Sequence, residues 1–244
     1  MPERTHPFPE EIRKPISLWR KDEIMKAHPG YRMAKAGDID AAVSLVTDLA
    51  LDFLKNAVQM LPASAYYVAP HAKEASGDNA LPQVIATTCA LLSGGAVDND
   101  IVQTTRVFHT GADPMERMAS RPEFEGIVIP DAEYVIVDDV TTMGGTLAEL
   151  AHYLQDRGGR ITGAIVLVNA GRSEYFHPSS SIQSKLQSRY EQEIRQLFGI
   201  WPQALTANEA NYLVGFRTVD EIRNRLLKAR QETHRRLRSK GIKG

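Results

Sequence analysis

The amino-acid sequence predicts an α/β fold, a mostly parallel β-sheet flanked by helices. Residues 134–137 form a compact apolar, β-branched run, residues 147–154 have helical periodicity, and residues 161–168 read as another buried strand. Strand, helix and strand therefore follow one another, the order that builds parallel sheets with helices on their faces. The length of 244 residues suits one such domain with embellishments, since single domains of this class commonly reach about 200–250 residues.

Residues 1–37 carry Pro2, Pro7, Pro9, Pro15 and Pro29 among charges, which predicts an N-terminal arm with little core. Asp38 is the expected N-cap of a helix whose apolar positions Ala41, Ala42, Leu45, Val46, Leu49 and Phe53 share one face and which ends before Pro62. Residues 65–69 form a short β-prone run closed by Pro70, followed by a polar loop over 71–79. Pro82 suits the first turn of a helix running to about Leu92, which Gly94 and Gly95 stop. Residues 101–108 then read as a strand, and residues 110–126, with Gly111, Pro114 and Pro122, have no clean period. A connection of that length is usually functional or mobile. After the core, residues 38–170, the pattern changes. A polar stretch over 171–181, a helix over 184–198 and a last helix with the capping-box pair Thr218 and Glu221 make residues 171–244 a helical extension.

Lys and Arg total 29 against 30 Asp and Glu, so no global field favours nucleic acid or an anionic membrane, and any anion site must be local. The basic stretch over 223–243 has an apolar stripe and interspersed acids, which suits a packed, half-solvated helix. Cys89 is the single cysteine, which excludes an intramolecular disulfide and a multi-cysteine zinc site. The seven histidines show no metal-ligand spacing along the chain. No apolar run approaches the roughly 18 residues of a membrane span, so the cytoplasm is the expected compartment.

The chemistry concentrates in residues 134–146, Tyr-Val-Ile-Val-Asp-Asp-Val-Thr-Thr-Met-Gly-Gly-Thr. Asp138 and Asp139 sit at the C-terminal end of a buried strand, where two adjacent carboxylates repel unless hydroxyls or a cation engage them. They suit a pair of ribose hydroxyls. Gly144 and Gly145 let an anion approach backbone amides where a helix begins, and the hydroxyls of Thr141, Thr142 and Thr146 can donate to phosphate oxygens. The segment has neither the Gly-Lys-Ser/Thr ending of a Walker loop nor the Gly-x-Gly-x-x-Gly dinucleotide pattern.

This segment resembles the thirteen-residue signature of the type I phosphoribosyltransferases, with Met143 the one unusual residue, at a position that contributes mainly its backbone amide. The resemblance implies binding of 5-phosphoribosyl-1-pyrophosphate (PRPP) by Asp138, Asp139, Thr141, Thr142, Met143, Gly144, Gly145 and Thr146, with Asp138 and Asp139 catalytic and indirectly involved in holding Mg²⁺. It also implies a pyrophosphate loop, matched here by Ala72, Lys73, Ser76 and Gly77, and a flexible closing loop, matched by residues 110–126 with Arg117 and Arg121, and Arg106 just before it. A base site after the next strand would fall on Asn169, Gly171 and Arg172, beneath a hood built from the terminal segments. His71 and His109 lie near the expected site, and Trp19 and Trp201 read as packing anchors.

The implied activity is transfer of the phosphoribosyl group to a nitrogen nucleophile, a nucleobase-like acceptor, with release of pyrophosphate, by a homodimer working in nucleotide metabolism. A non-catalytic regulator on the same fold that senses PRPP or a nucleotide stays open as the alternative. The acceptor itself is not legible.

Overall fold

The computed structural model describes residues 2–70, 73–74, 77–104 and 112–239, with side chains described for all of these except 73, 74, 77, 78, 234 and 236–239. In chain order the first segment holds β1 (Ile16–Trp19), α1 (Glu23–Ala27) and α2 (Tyr31–Lys35), followed by α3 (Ile39–Val58) and β2 (Tyr66–Val68). A small hairpin, β3 (Lys73–Glu74) with β4 (Gly77–Asp78), precedes α4 (Leu81–Ser93) and β5 (Ala96–Asp98). Next come β6 (Val102–Gln103), α5 (Pro114–Ala119) and β7 (Phe124–Glu125), and then the central unit β8 (Glu133–Thr141), α6 (Gly145–Asp156) and β9 (Arg160–Asn169). The chain finishes with α7 (Ser180–Phe198), a 3₁₀ turn (Pro202–Ala204), α8 (Ala207–Leu213) and α9 (Val219–Ser239).

Five strands form one sheet in the order β1-β9-β8-β2-β5, every neighbouring pair parallel. Side chains alternate across a strand, so β8 feeds two cores at once. Val135 and Val137 pack with α3 and α4 on one face, while Tyr134 and Ile136 pack with Leu147, Leu150 and Leu154 of α6 on the other. Both sets are fully buried, which is why the strand is an unbroken apolar run. A third core, built by α7, α8 and α9, takes in Met115 and Met118 of α5.

Local signals act as expected at several ends. The Asp38 carboxylate accepts from the Ala41 N–H at 2.9 Å and starts α3. Gly94 ends α4 in the left-handed region, φ 79°.

Three expectations are corrected. The strand expected over 101–108 is confined, among the described residues, to Val102–Gln103, which pairs antiparallel with β7 outside the main sheet. The sheet strand is β5, immediately after the glycine pair. A Cβ on Gly95 would lie 2.4 Å from the Ala65 carbonyl oxygen, so glycine lets the chain turn straight back beside β2. The arm is not peripheral either. It supplies the edge strand β1 and buries Arg4, Phe8, Met25 and Ala34. Finally, residues 112–126 are packed: Asp113 and Glu116 form a reciprocal capping box on α5, whose methionines enter the third core. Among the described residues no helix is long and apolar enough to cross a membrane.

Candidate functional site

All five sheet strands point their C-terminal ends the same way, and a cavity of about 350 Å³ opens at that edge beside the end of β8. Such an edge is where ligands sit in open α/β sheets. One wall is the run from Asp138 to Thr146, which the sequence singled out, and every residue of it lines the cavity. The opposite wall comes from the N-terminal segment through Asp22, Lys26, Tyr31 and Lys35. Arg117 and Arg121 enter from the α5 region, and Glu149 and Glu209 close the floor.

The geometry of the β8–α6 loop follows from two glycines. Gly144 has φ 79°, a conformation that costs an L-residue roughly 1–2 kcal/mol. It turns the chain from β8 into α6, and no side chain caps that helix. The first amides of α6 are thus available to an anion, reinforced by the helix dipole. The loop is held from behind by the C-terminal helices. The Thr206 hydroxyl donates to the Met143 carbonyl at 2.6 Å, and a Cβ on Gly145 would meet the Glu209 carboxylate at 2.9 Å.

Asp139 is buried, accepting from Lys35 Nζ at 3.0 Å and Asn79 Nδ2 at 3.3 Å. Its own N–H donates to the Asp138 carboxylate at 2.8 Å. Burial raises the proton affinity of Asp138 well above the usual carboxylate range, the neighbouring Asp139 charge raises it further, and Lys35 pulls it down. The pair therefore resists carrying two negative charges when empty, and ribose hydroxyls or a cation would relieve it. Burial likewise raises the Tyr31 phenol, so Tyr31 presents a neutral ring with a hydroxyl among the charged residues of that wall.

Behind the cavity lies a buried ionic network that sequence reasoning missed. Arg4, fully buried, donates to Glu149 at 2.9 Å and pairs with Glu209. Arg121 grips Glu149 with two parallel bonds of 2.6 and 2.7 Å and gives its remaining donors to the carbonyls of Pro2, Phe198 and Gly199. Arg121 is therefore a clamp on α6 rather than a lid residue that reaches for pyrophosphate, because swinging out would strip a buried carboxylate of its fork. Arg117 lies at the cavity with Nε donating to the Ala112 carbonyl at 3.1 Å.

The expected base set does not line this cavity. Asn169 is buried and donates to the Glu174 carbonyl at 3.0 Å, in a separate recess of about 10 Å³, room for about one water. Gly171 accepts from Arg20, and a Cβ there would be 2.5 Å from both Asn208 Nδ2 and the Thr142 carbonyl, while the Arg172 side chain is exposed. Of the three, Gly171 packs tightly against the back of the β8–α6 loop. Of the expected pyrophosphate loop, Ala72 and Ser76 lie outside the described residues, as do Arg106, His71 and His109. Lys73 and Gly77 are described by backbone alone, in the β3–β4 hairpin. Cys89 is buried on α4, and burial pushes its thiol up to about 12, which disfavours the reactive thiolate.

Thr206 and Glu209 had a readable signal, the four-residue capping-box spacing. Lys35, Tyr31 and Arg4 had none, being single polar residues of a proline-rich segment.

No family model matches the chain. It is 36% identical to Protein TraN of Escherichia coli over 215 residues, 86% of this chain and 48% of that protein. The chain thus spans about half the length of that relative. It is also 40% identical over 56 residues to an orotate phosphoribosyltransferase of Methanosphaera stadtmanae, 22% of this chain and 32% of that one. Among solved structures, an orotate phosphoribosyltransferase from Aeropyrum pernix superposes with a TM-score of 0.35 at 25% identity, covering 57% of this chain and 64% of the other.

Proposed function

We propose that the chain binds PRPP at the end of β8 and transfers its phosphoribosyl group to a nitrogen nucleophile. The observation that carries this reading is the adjacency of Asp138 and Asp139 to a left-handed Gly144 at the uncapped start of α6, all facing one cavity. The local sequence match to an orotate phosphoribosyltransferase supports the same chemistry. In the reaction the bond from ribose C1 to the pyrophosphate oxygen breaks, and its electron pair leaves with pyrophosphate. The acceptor nitrogen forms the new bond to C1 and gives up its proton to water. The first α6 amides and the threonine hydroxyls hold the 5-phosphate, and the acidic pair holds the 2- and 3-hydroxyls and offsets positive charge growing on the ring.

Mg²⁺ fits this site, since Asp138 and Asp139 offer hard oxygen donors and their crowding is relieved by a cation. When bound with PRPP it neutralises the leaving pyrophosphate. The acceptor faces Lys26 and Tyr31 of the N-terminal segment, which take over the role expected of Asn169, Gly171 and Arg172. Work as a homodimer in the cytoplasm belongs to the same reading.

The test is a panel of nucleobases and related nitrogen heterocycles assayed for pyrophosphate release from PRPP and Mg²⁺. Activity with one of them, lost in Asp139→Asn with an unchanged circular dichroism spectrum, is expected. Unchanged turnover in that variant sinks the assignment.

One observation favours a second reading, a sensor that binds PRPP without transfer: Lys35 pairs with Asp139 at 3.0 Å and so neutralises one of the two carboxylates from within the chain. Silence across the panel together with calorimetric PRPP binding supports that reading.

A further inference from the structure

Toward the C-terminal end of α6, beyond the cavity-lining Glu149, the N-terminal segment brings His6 against His152. Their Nδ1 atoms are 3.1 Å apart, and the rings stack with centroids at 5.3 Å and 21° between planes. Asp156 follows His152 by one helical turn and so shares its face. One ligand atom from each of the three residues lies within 4.8 Å of the other two. A tetrahedral ion with bonds of about 2.0–2.1 Å to nitrogen separates two such donors by about 3.3 Å, close to the spacing found.

His6 is not on a loose tail. Two residues before it Arg4 is locked into its carboxylates, and two residues after it Phe8 stacks on Phe176 with centroids 3.7 Å apart. Between them the Pro7 carbonyl accepts from Gln155 Nε2 of α6 at 2.9 Å. The cluster is therefore assembled before any ligand arrives, which lowers the ordering cost of binding. Thr5 Oγ1, 3.2 Å from His6 Nδ1, and the His6 N–H, 3.4 Å from His152 Nδ1, are the competing contacts.

We propose that His6, His152 and Asp156 form a binding site for a borderline divalent transition ion, best matched by Zn²⁺, that staples the N-terminal segment to α6. Two imidazoles and one carboxylate select such an ion over Mg²⁺ or Ca²⁺, which prefer all-oxygen shells. In the empty pair one ring donates to the other. An ion needs both lone pairs, so the donor ring moves its proton to Nε2 through solvent as the ion enters. The fourth position is left to water. None of the three residues lines the PRPP cavity, and the site ties down the stretch of chain that delivers Arg4 to Glu149 and Glu209.

The test uses the full chain without an affinity tag, stripped of metal and titrated with CoCl₂ and ZnCl₂. One Co²⁺ per chain is expected, with visible absorption of low-coordinate cobalt that Zn²⁺ bleaches and excess Mg²⁺ does not. At a hundredfold excess of Zn²⁺ over its Kd, Tm should rise by about 5–11 °C. His6→Gln and Asp156→Asn should each weaken Zn²⁺ binding at least about tenfold, the low end of the cost of losing even an outer partner. Asp156 is exposed, so its variant serves if His6→Gln does not fold. Absence of stoichiometric Co²⁺ binding by the wild-type chain overturns the proposal, and so does undiminished affinity in either folded variant.

Discussion

Replacing Arg4 by Met tests whether the buried network holds the start of α6 in place. Met keeps much of the side-chain volume, so little cavity forms, and the change is mainly electrostatic. Glu149 retains the two-bond grip of Arg121 and stays paired. Glu209 does not fare as well. It is 3% exposed and keeps only the Thr206 N–H, at 2.9 Å, of the partners described for it across the network. Breaking one partner out of a buried pair costs about 3–5 kcal/mol, because a charge is left uncompensated. For a chain of this size each kcal/mol moves Tm by about 2–4 °C, so Arg4→Met should melt roughly 6–20 °C lower by differential scanning calorimetry. The double variant Arg4→Met/Glu209→Gln removes the stranded charge and should regain about 1–3 kcal/mol relative to the sum of the single changes. A loss under about 1 kcal/mol in Arg4→Met, or strict additivity in the double variant, would refute the reasoning.

Asp138→Asn should stabilise the empty protein, and more so as pH rises. The unfolded carboxyl loses its proton near its ordinary value of about 4, while burial and Asp139 make the folded one hold it to higher pH. Between these two values the folded state binds more protons, so wild-type stability falls with rising pH and the penalty is complete above the folded value. Asn has no proton to lose, so the Tm gain of the variant should be larger at pH 8 than at pH 4, and the reverse trend defeats the argument. Gly144→Ala forces a Cβ into φ 79° and should cost about 1–2 kcal/mol in urea unfolding while weakening phosphate or PRPP binding measured by calorimetry. Binding equal to wild type would show that the loop need not hold this turn. Cys89, fully buried with its thiol pushed up to about 12, should resist a thiol reagent at pH 8 until the chain is unfolded. Labelling of the native protein within minutes contradicts that.

Much of the frame was legible because its signals are local. The β8 run, the Asp38 cap, the Gly94 stop and the Pro82 start each act within a few residues, and all four recur in the structure. Among the described residues, the strand expected over 101–108 is confined to Val102–Gln103 and lies outside the main sheet, because a propensity run says nothing about which partner is near, and the glycine pair had already turned the chain into the sheet. The Arg121 expectation failed for a similar reason. Its carboxylate partner lies 28 positions away and its carbonyl partners more than 75, and nothing in the local pattern distinguishes a clamp from a solvated arginine.

The sequence by itself determined the loop between β8 and α6, because its geometry depends on consecutive residues: two carboxylates at a strand end, then glycines whose backbone alone can turn into a helix. Only the tertiary structure decided what faces the loop. Lys35 and Tyr31 reach the cavity, Asn169 and Gly171 are withdrawn behind it, and Arg4, His6 and Glu209 meet α6 from opposite ends of the chain. Contacts between residues more than 100 positions apart are set by how layers pack, and packing leaves no periodic mark on a single polar residue.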